Sequence, residues 1–231
     1  MTIRDLQRHA VDTIKRHALT LALASPRAQT RILTEYLWTE EGAESTALDK
    51  VTRSAPAWLD KLVTRQLEDE RRHAKLLRDR LAELGTPADL DRAPPALARA
   101  KLWWLERACA PYASAFSAGP IVILLAAAAQ LEATGVRVFG RHLAVLDEHE
   151  RTSGSIDPTA VVVRSILADE QRHAKSCAAA VERLVREDER PVLDELRERI
   201  ATIDRSFGVT IAVGYWLLIA THALRDRRRA S

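Results

Sequence analysis

Residues 69–75 read Asp-Glu-Arg-Arg-His-Ala-Lys, and residues 169–175 read Asp-Glu-Gln-Arg-His-Ala-Lys. Six of the seven positions coincide, at a separation of 100 residues. Each copy carries a Glu and a His three apart, Glu70 with His73 and Glu170 with His173. On a helix that spacing is one turn, so both side chains of a pair leave from one face. A carboxylate and an imidazole presented together can ligate a divalent cation. Charged residues at such spacings are usually solvated ion pairs, and Arg71, Lys75, Glu41 and Lys175 read that way. The Glu/His pairs differ because both fall in apolar stripes.

The elements that must position them are helical. The chain has 231 residues, only 8 Gly and 9 Pro, and 47% hydrophobic residues dominated by Ala and Leu. No convincing run of alternating β-branched residues interrupts this helix-forming mixture. A single all-α domain over 1–231 is expected. A leading helix over 2–24 ends at Ser25-Pro26, and a first long helix over 27–53 is stopped by Ser54-Ala-Pro56. Pro56 suits the first turn of a second long helix running to Gly85. A polar crossover, Thr86 to Pro95, leads to a helix through 101–105. Gly119-Pro120 opens a third long helix to about Val145, and the loop Asp147 to Pro158 leads to a fourth ending near Glu189. A C-terminal helical extension covers about 191–228. The architecture predicted is a four-helix bundle of two hairpins joined by a crossover, its core about 27–189, with extra helices at both ends.

On the second long helix Val63, Leu67, Ala74, Leu77 and Leu81 define a stripe containing Glu70 and His73. On the fourth, Val163, Ile166, Leu167, Ala174 and Val181 do the same around Glu170 and His173. An unpaired buried carboxylate costs several kcal/mol, so something must neutralise these. Glu132 is the one acid among Leu125, Ala128, Ala129, Val136 and Phe139. Glu40 sits among Leu33, Tyr36, Leu37, Ala43, Ala47, Leu48 and Val51. Its neighbour Glu41 is the alternative, but Glu40 has the apolar phase and stands about as far before Pro56 as Glu70 stands after it. Folding each hairpin at its loop brings four carboxylates and two imidazoles to one level. Those six groups make up a carboxylate-bridged dimetal ligand set. Oxygen-rich ligation with one imidazole per metal suits iron or manganese, as two Fe ions or with Mn replacing one or both. Glu44, one turn beyond Glu40, is either an extra carboxylate at the site or one at a wetter end of the bundle. Cys177 faces inward and reads as a small hydrophobe.

With this doubled pattern the chain resembles the ferritin-like diiron superfamily. Its signature is a Glu followed, a hairpin later, by Asp-Glu-x-Arg-His, all repeated; here it covers roughly 27–189. The resemblance implies that Glu70 and Glu170 bridge the metals, while Glu40, His73, Glu132 and His173 are terminal ligands. It also implies that Asp69 and Asp169 orient the His of the opposite motif, held in turn by Arg72 and Arg172. Leu77 occupies the position where ribonucleotide reductase small subunits carry a radical Tyr, which speaks against that role. Two complete motif sets resemble the oxidase and oxygenase branch more than the ferritin storage shells. The implied activity is reduction of O2 or peroxide, with a small organic substrate and a separate reductase as electron donor. A ferroxidase or other metal-handling protein without organic substrate is one alternative, and a metal-stapled structural or interaction protein another. Tyr36, Trp38 and Phe139 could line a substrate pocket or simply pack the core.

Composition excludes other classes. Lys and Arg number 35 against 32 acids, for a net charge of +3, and no basic face or nucleic-acid module stands out. Cys109 and Cys177 form no CxxC pair, so no rubredoxin-type centre, zinc site or disulfide framework is expected. Asp5, Arg8, Lys15 and Arg16 break any apolar leader, and a cytoplasmic, reducing location is expected. Residues 206–224 are 19 without formal charge, followed by Arg225-Asp-Arg-Arg-Arg229. That segment is long enough to span a bilayer, so membrane association through 206–229 stays open beside a helix packed on the bundle or a homodimer contact.

Overall fold

The computed structural model describes residues 3–44, 56–86 and 96–230. The described elements are α1 (Ile3–Leu23), α2 (Pro26–Glu44), α3 (Ala57–Glu83), α4 (Ala96–Cys109), α5 (Ile121–Ser153), α6 (Pro158–Leu184) and α7 (Arg190–Ala230). One-turn 3₁₀ helices at Ala110–Tyr112 and Glu187–Glu189 complete them, and no strand occurs among the described residues. Residues 45–53 of the expected first long helix, with Ala47, Leu48 and Val51, lie outside the described residues. So do 87–95 of the crossover and the side chains of Ala43 and Glu44.

Local chemistry sets the helix ends. Ser25 Oγ accepts the Ala28 N–H at 3.2 Å, ahead of Pro26. Asp157 Oδ1 accepts the Thr159 N–H at 2.7 Å across Pro158. Both satisfy donors that a helix start leaves open. The structure corrects two expected boundaries. α5 runs on to Ser153 rather than stopping near Val145, since 146–153 contains neither Gly nor Pro. It ends at Gly154, whose φ of 71° lets its N–H close on Glu150 O at 2.8 Å. The loop before α6 therefore shrinks to 154–157. α6 stops at Leu184, short of Glu189, because Val185 turns extended and the Arg186 N–H is capped by Glu189 Oε2 at 2.9 Å.

α2 lies along α3 and α5 along α6, while α3 meets α6. α1 packs on α7, with further contacts to α2 and α5, and α4 packs on α7. The buried apolar residues form two clusters. One gathers Leu33, Leu37, Leu77, Phe139 and Ile166, and the other Leu59, Val63, Leu125, Val181 and Leu196. Along α3, α5 and α6 the first cluster lies on one side of the Glu70, Glu132 and Glu170 level and the second on the other. Burying each such Leu, Ile or Val contributes roughly 1.5–3 kcal/mol. Together they hold in place a polar layer that would not form alone.

α7, 41 residues long, spans about 60 Å. Its first half buries Leu193, Leu196 and Ile200; its second half buries Ala212, Ile219 and Ala223. Near its end Asp226 Oδ2 accepts the Ser25 hydroxyl at 2.6 Å, and Trp216 Nε1 donates to His17 Nδ1 at 2.8 Å. Residues 206–224 thus pack on one side, leaving Val209, Val213, Leu217 and Leu224 exposed. By length and composition alone, α5 and the 187–229 stretch are apolar enough to cross a membrane.

Candidate metal centre

Four helices deliver the site: Glu40 from α2, Glu70 and His73 from α3, Glu132 from α5, and Glu170 and His173 from α6. They form two overlapping groups. Glu40, Glu70, His73 and Glu170 each offer a ligand atom within 4.8 Å of the others, and so do Glu70, Glu132, Glu170 and His173. Glu70 and Glu170 belong to both, so the arrangement has two foci sharing two carboxylates. Glu40, Glu70, His73, Glu170 and His173 are at most 5% exposed; Glu132 is slightly more open. Glu41 points away and takes Arg78 at 2.7 and 3.0 Å on the exposed side.

Both imidazoles face the carboxylates through Nδ1. His73 Nδ1 lies 3.1 Å from Glu40 Oε2, 3.7 Å from Glu70 Oε2 and 3.9 Å from Glu170 Oε1. His173 Nδ1 lies 3.2 Å from Glu70 Oε1, and 3.8 Å from both Glu132 and Glu170. Buried and close to three carboxylates, His173 Nδ1 still makes no hydrogen bond. An orphaned ring nitrogen in this position fits a cation, whose bond to the lone pair needs no hydrogen.

The Nε2 atoms face outward onto crossed partners. His73 Nε2 meets Asp169 Oδ2 at 3.1 Å, and His173 Nε2 meets Asp69 Oδ2 at 3.2 Å. Arg72 bonds both aspartates, Asp69 at 2.9 Å, and Arg172 bonds both at 2.6 Å. The two motifs are thereby tied across α3 and α6. Burial works against ionised Asp69 and Asp169, but Arg72, the imidazoles and Arg172 outweigh it and hold both carboxyls below their ordinary range. A charged Asp beside Nε2 favours a proton on that nitrogen, which would leave the Nδ1 lone pair available to a cation in the cluster.

The inner carboxylates behave oppositely. Burial, then hydrogen bonding and repulsion from Glu70, raises Glu40. Burial and the charge of Glu70 raise Glu132 to about 7. Burial together with Glu132, Glu40 and Glu70 raises Glu170 to about 11. Glu70 keeps the negative charge, because His173 and His73 overcome its burial. Burial lowers both imidazoles, yet Glu70 and the crossed aspartates bring them above their usual value. Without metal, then, the cluster holds protons that two cations would displace.

Two contributors escaped sequence reading. Gln66, one turn before Glu70, donates Nε2–H to Glu132 Oε1 at 2.6 Å and receives Cys177 Sγ–H at 3.5 Å. Nothing in its type marks it; its partners lie on other helices. Gly135, one turn after Glu132, leaves the space that Glu170 fills: a Cβ there would lie 2.3 Å from Glu170 Oε2. A glycine inside a helix is the signal that could have found it. Cys177 is fully buried, which pushes its thiol up to about 12 and keeps it from acting as a thiolate. Tyr36 and Phe139 pack edge to face at 4.8 Å, and Tyr36 shares a hydrogen bond with His142 Nδ1 at 3.2 Å. They belong to the core. A separate cavity of about 330 Å³, lined by Trp58, Lys61, Leu62 and Arg65, reaches Gln66, Asp69 and His173 from outside.

Gly135→Ala should favour the helix by about 1 kcal/mol in isolation, but it displaces the Glu170 carboxylate. The expected outcome is a folded protein with less than half the wild-type metal content, read by elemental analysis beside circular dichroism; unchanged metal content would contradict this geometry. A pH series tests the charge pattern. Glu40, Glu132, Glu170 and both His bind protons more tightly folded than unfolded, so metal-free stability falls as pH rises from about 5 to 8. Asp69, Asp169 and Glu70 have lowered values, and their contribution is lost only as pH falls below about 4. Mn(II) binding, which releases protons, should strengthen over the same rise; thermal melts with and without Mn(II) read both trends.

Compared with known proteins, the sequence matches no family model and no curated protein.

Proposed function

We propose that α2, α3, α5 and α6 form a ferritin-like four-helix bundle around two metal ions, and that the protein is a dimetal oxidoreductase. The observation that carries this is the pair of overlapping donor groups sharing Glu70 and Glu170, each with its own imidazole. Glu70 and Glu170, common to both groups, would be shared by the two ions, and Glu40 with His73 and Glu132 with His173 would each hold one of them. The donor set suits iron, with manganese in one or both places as the variant. A reduced iron pair held there would supply two electrons, which with two protons take O2 to the peroxide level or peroxide to water.

The chain's own groups do the rest. Asp169 and Asp69 hold the imidazoles in register through Nε2. Gln66 fixes Glu132 from the side of the outer cavity. The two apolar clusters keep bulk water away from the layer, and the cavity beside His173 offers a small organic substrate its approach. A separate reductase would supply the electrons.

The test is anaerobic Fe(II) loading followed by O2, with and without an artificial electron donor, for wild type and Glu170→Ala. The expected result is O2 uptake sustained only with donor and reduced about a hundredfold or more in the variant. Uptake sustained by Fe(II) alone, with Fe(III) accumulating, would identify a ferroxidase instead. Bound metal without O2 uptake would leave a metal-stapled bundle.

A further inference from the structure

We propose that a cleft between α1, α5 and α7, separate from the metal cluster, binds a small molecule carrying a phosphate group. The cleft has a volume of about 810 Å³ and gathers cations from four helices: Arg8 and Lys15 of α1, Lys101 of α4, Arg137 and Arg141 of α5, and Arg205 of α7. Its two acids are already used. Asp12 accepts from Arg16 at 2.6 Å and from Arg141 at 2.7 Å. Asp204 accepts from Lys101, and from Gln130 at 3.1 Å, Thr134 at 3.2 Å and Arg137 at 3.2 Å. Glu35, which neighbours Lys15, is held by Arg31 at 3.0 Å.

Lys15 is the odd group. Among the described residues no carboxylate lies within 4.0 Å of its ammonium, although the side chain lines the cleft. Seven Lys and Arg side chains line the cleft against two acids, so positive charge is crowded and under-compensated there. In keeping with that, burial, with Arg141 and Lys101 nearby, pushes Lys15 down to about 8 against the pull of Asp204 and Glu35. Asp12 and Asp204 act as braces: each fixes two cations in place without neutralising both. The remaining N–H groups of Arg141, Arg137 and Lys15 are left for an incoming anion.

The chemistry of that anion follows from number and direction. Donors arrive from several helices, which suits a tetrahedral dianion better than a planar carboxylate. The volume exceeds what phosphate alone would fill and lies in the roughly 300–1,000 Å³ range of organic ligand sites. Val11, Val138 and Ile211 line it beside the cations and give an organic body its apolar contact. The phosphate could belong to a soluble metabolite or to a lipid headgroup, because the exposed Val209 and Val213 of α7 continue from the cleft wall at Gly208.

The purified full-length protein, titrated calorimetrically with AMP and with inorganic phosphate, reads the site directly. Sedimentation with phosphatidylcholine vesicles containing phosphatidic acid reads the lipid source. AMP is expected to bind once per chain, with Lys15→Met weakening it roughly tenfold or more and leaving metal content unchanged. Arg8→Gln, at an exposed position, is expected to weaken it as well and serves if Lys15→Met does not fold. Vesicle binding that depends on Lys15, without AMP binding, would support the site and assign the phosphate to a lipid. No binding of AMP, phosphate or vesicles, or equal binding by both variants and wild type, would overturn it. None of these readouts depends on O2 chemistry at the metal cluster.

Discussion

Four carboxylates share one buried layer, and the rest of the structure is arranged around the cost of keeping them there. Isolated buried charges destabilise a fold by several kcal/mol each, a large part of the net stability of a whole domain. Here the layer is clamped between two apolar clusters that supply the favourable energy. The charge is then divided. Glu70 stays ionised against two imidazoles, while Glu40, Glu132 and Glu170 are driven toward the protonated form. Two divalent cations would resolve the same conflict more completely, since four negative charges would meet four positive ones.

Outside the layer the opposite chemistry prevails. Asp69, Asp169, Arg72 and Arg172 are tied in a ring of short contacts at the edge of the core, partly open to water. This ring joins α3 to α6 and sets the rotation of His73 and His173. Each repeated motif therefore does two jobs at adjacent positions, with Glu and His directed inward and Asp and Arg directed to the other motif. The one-hundred-residue separation in sequence becomes a near-symmetric pairing in space. α7 adds a long strap on the other side of the molecule, fastened through Leu193, Leu196 and Ile219 and through the Ser25–Asp226 contact.

Much of this was legible because helix phase alone decides it. A Glu and a His three apart within an apolar stripe can only point at the core, and Glu40 parts from Glu41 by the same rule. The burial of Glu40 and the Arg78 contact of Glu41 follow that phase. Helix ends were harder where no breaker stands, as at 146–153, where α5 simply continues to Gly154. Gln66 was invisible because a glutamine becomes meaningful only when Glu132, 66 residues away, is brought beside it. Gly135 was hidden for a related reason. Its role is the absence of a side chain, which matters only once the position of Glu170 is known. The basic cleft was equally unreadable, since its cations are scattered over four helices.

The most direct measurement is a crystal structure of the Mn(II)-loaded protein with anomalous scattering from manganese. Two ions are predicted between the four helices, both touching Glu70 and Glu170, one with His73 Nδ1 and the other with His173 Nδ1. A single ion, or no ordered ion in the layer at saturating Mn(II), would contradict the dimetal centre. The doubled heptapeptide would then be a buried ion-pair network and nothing more.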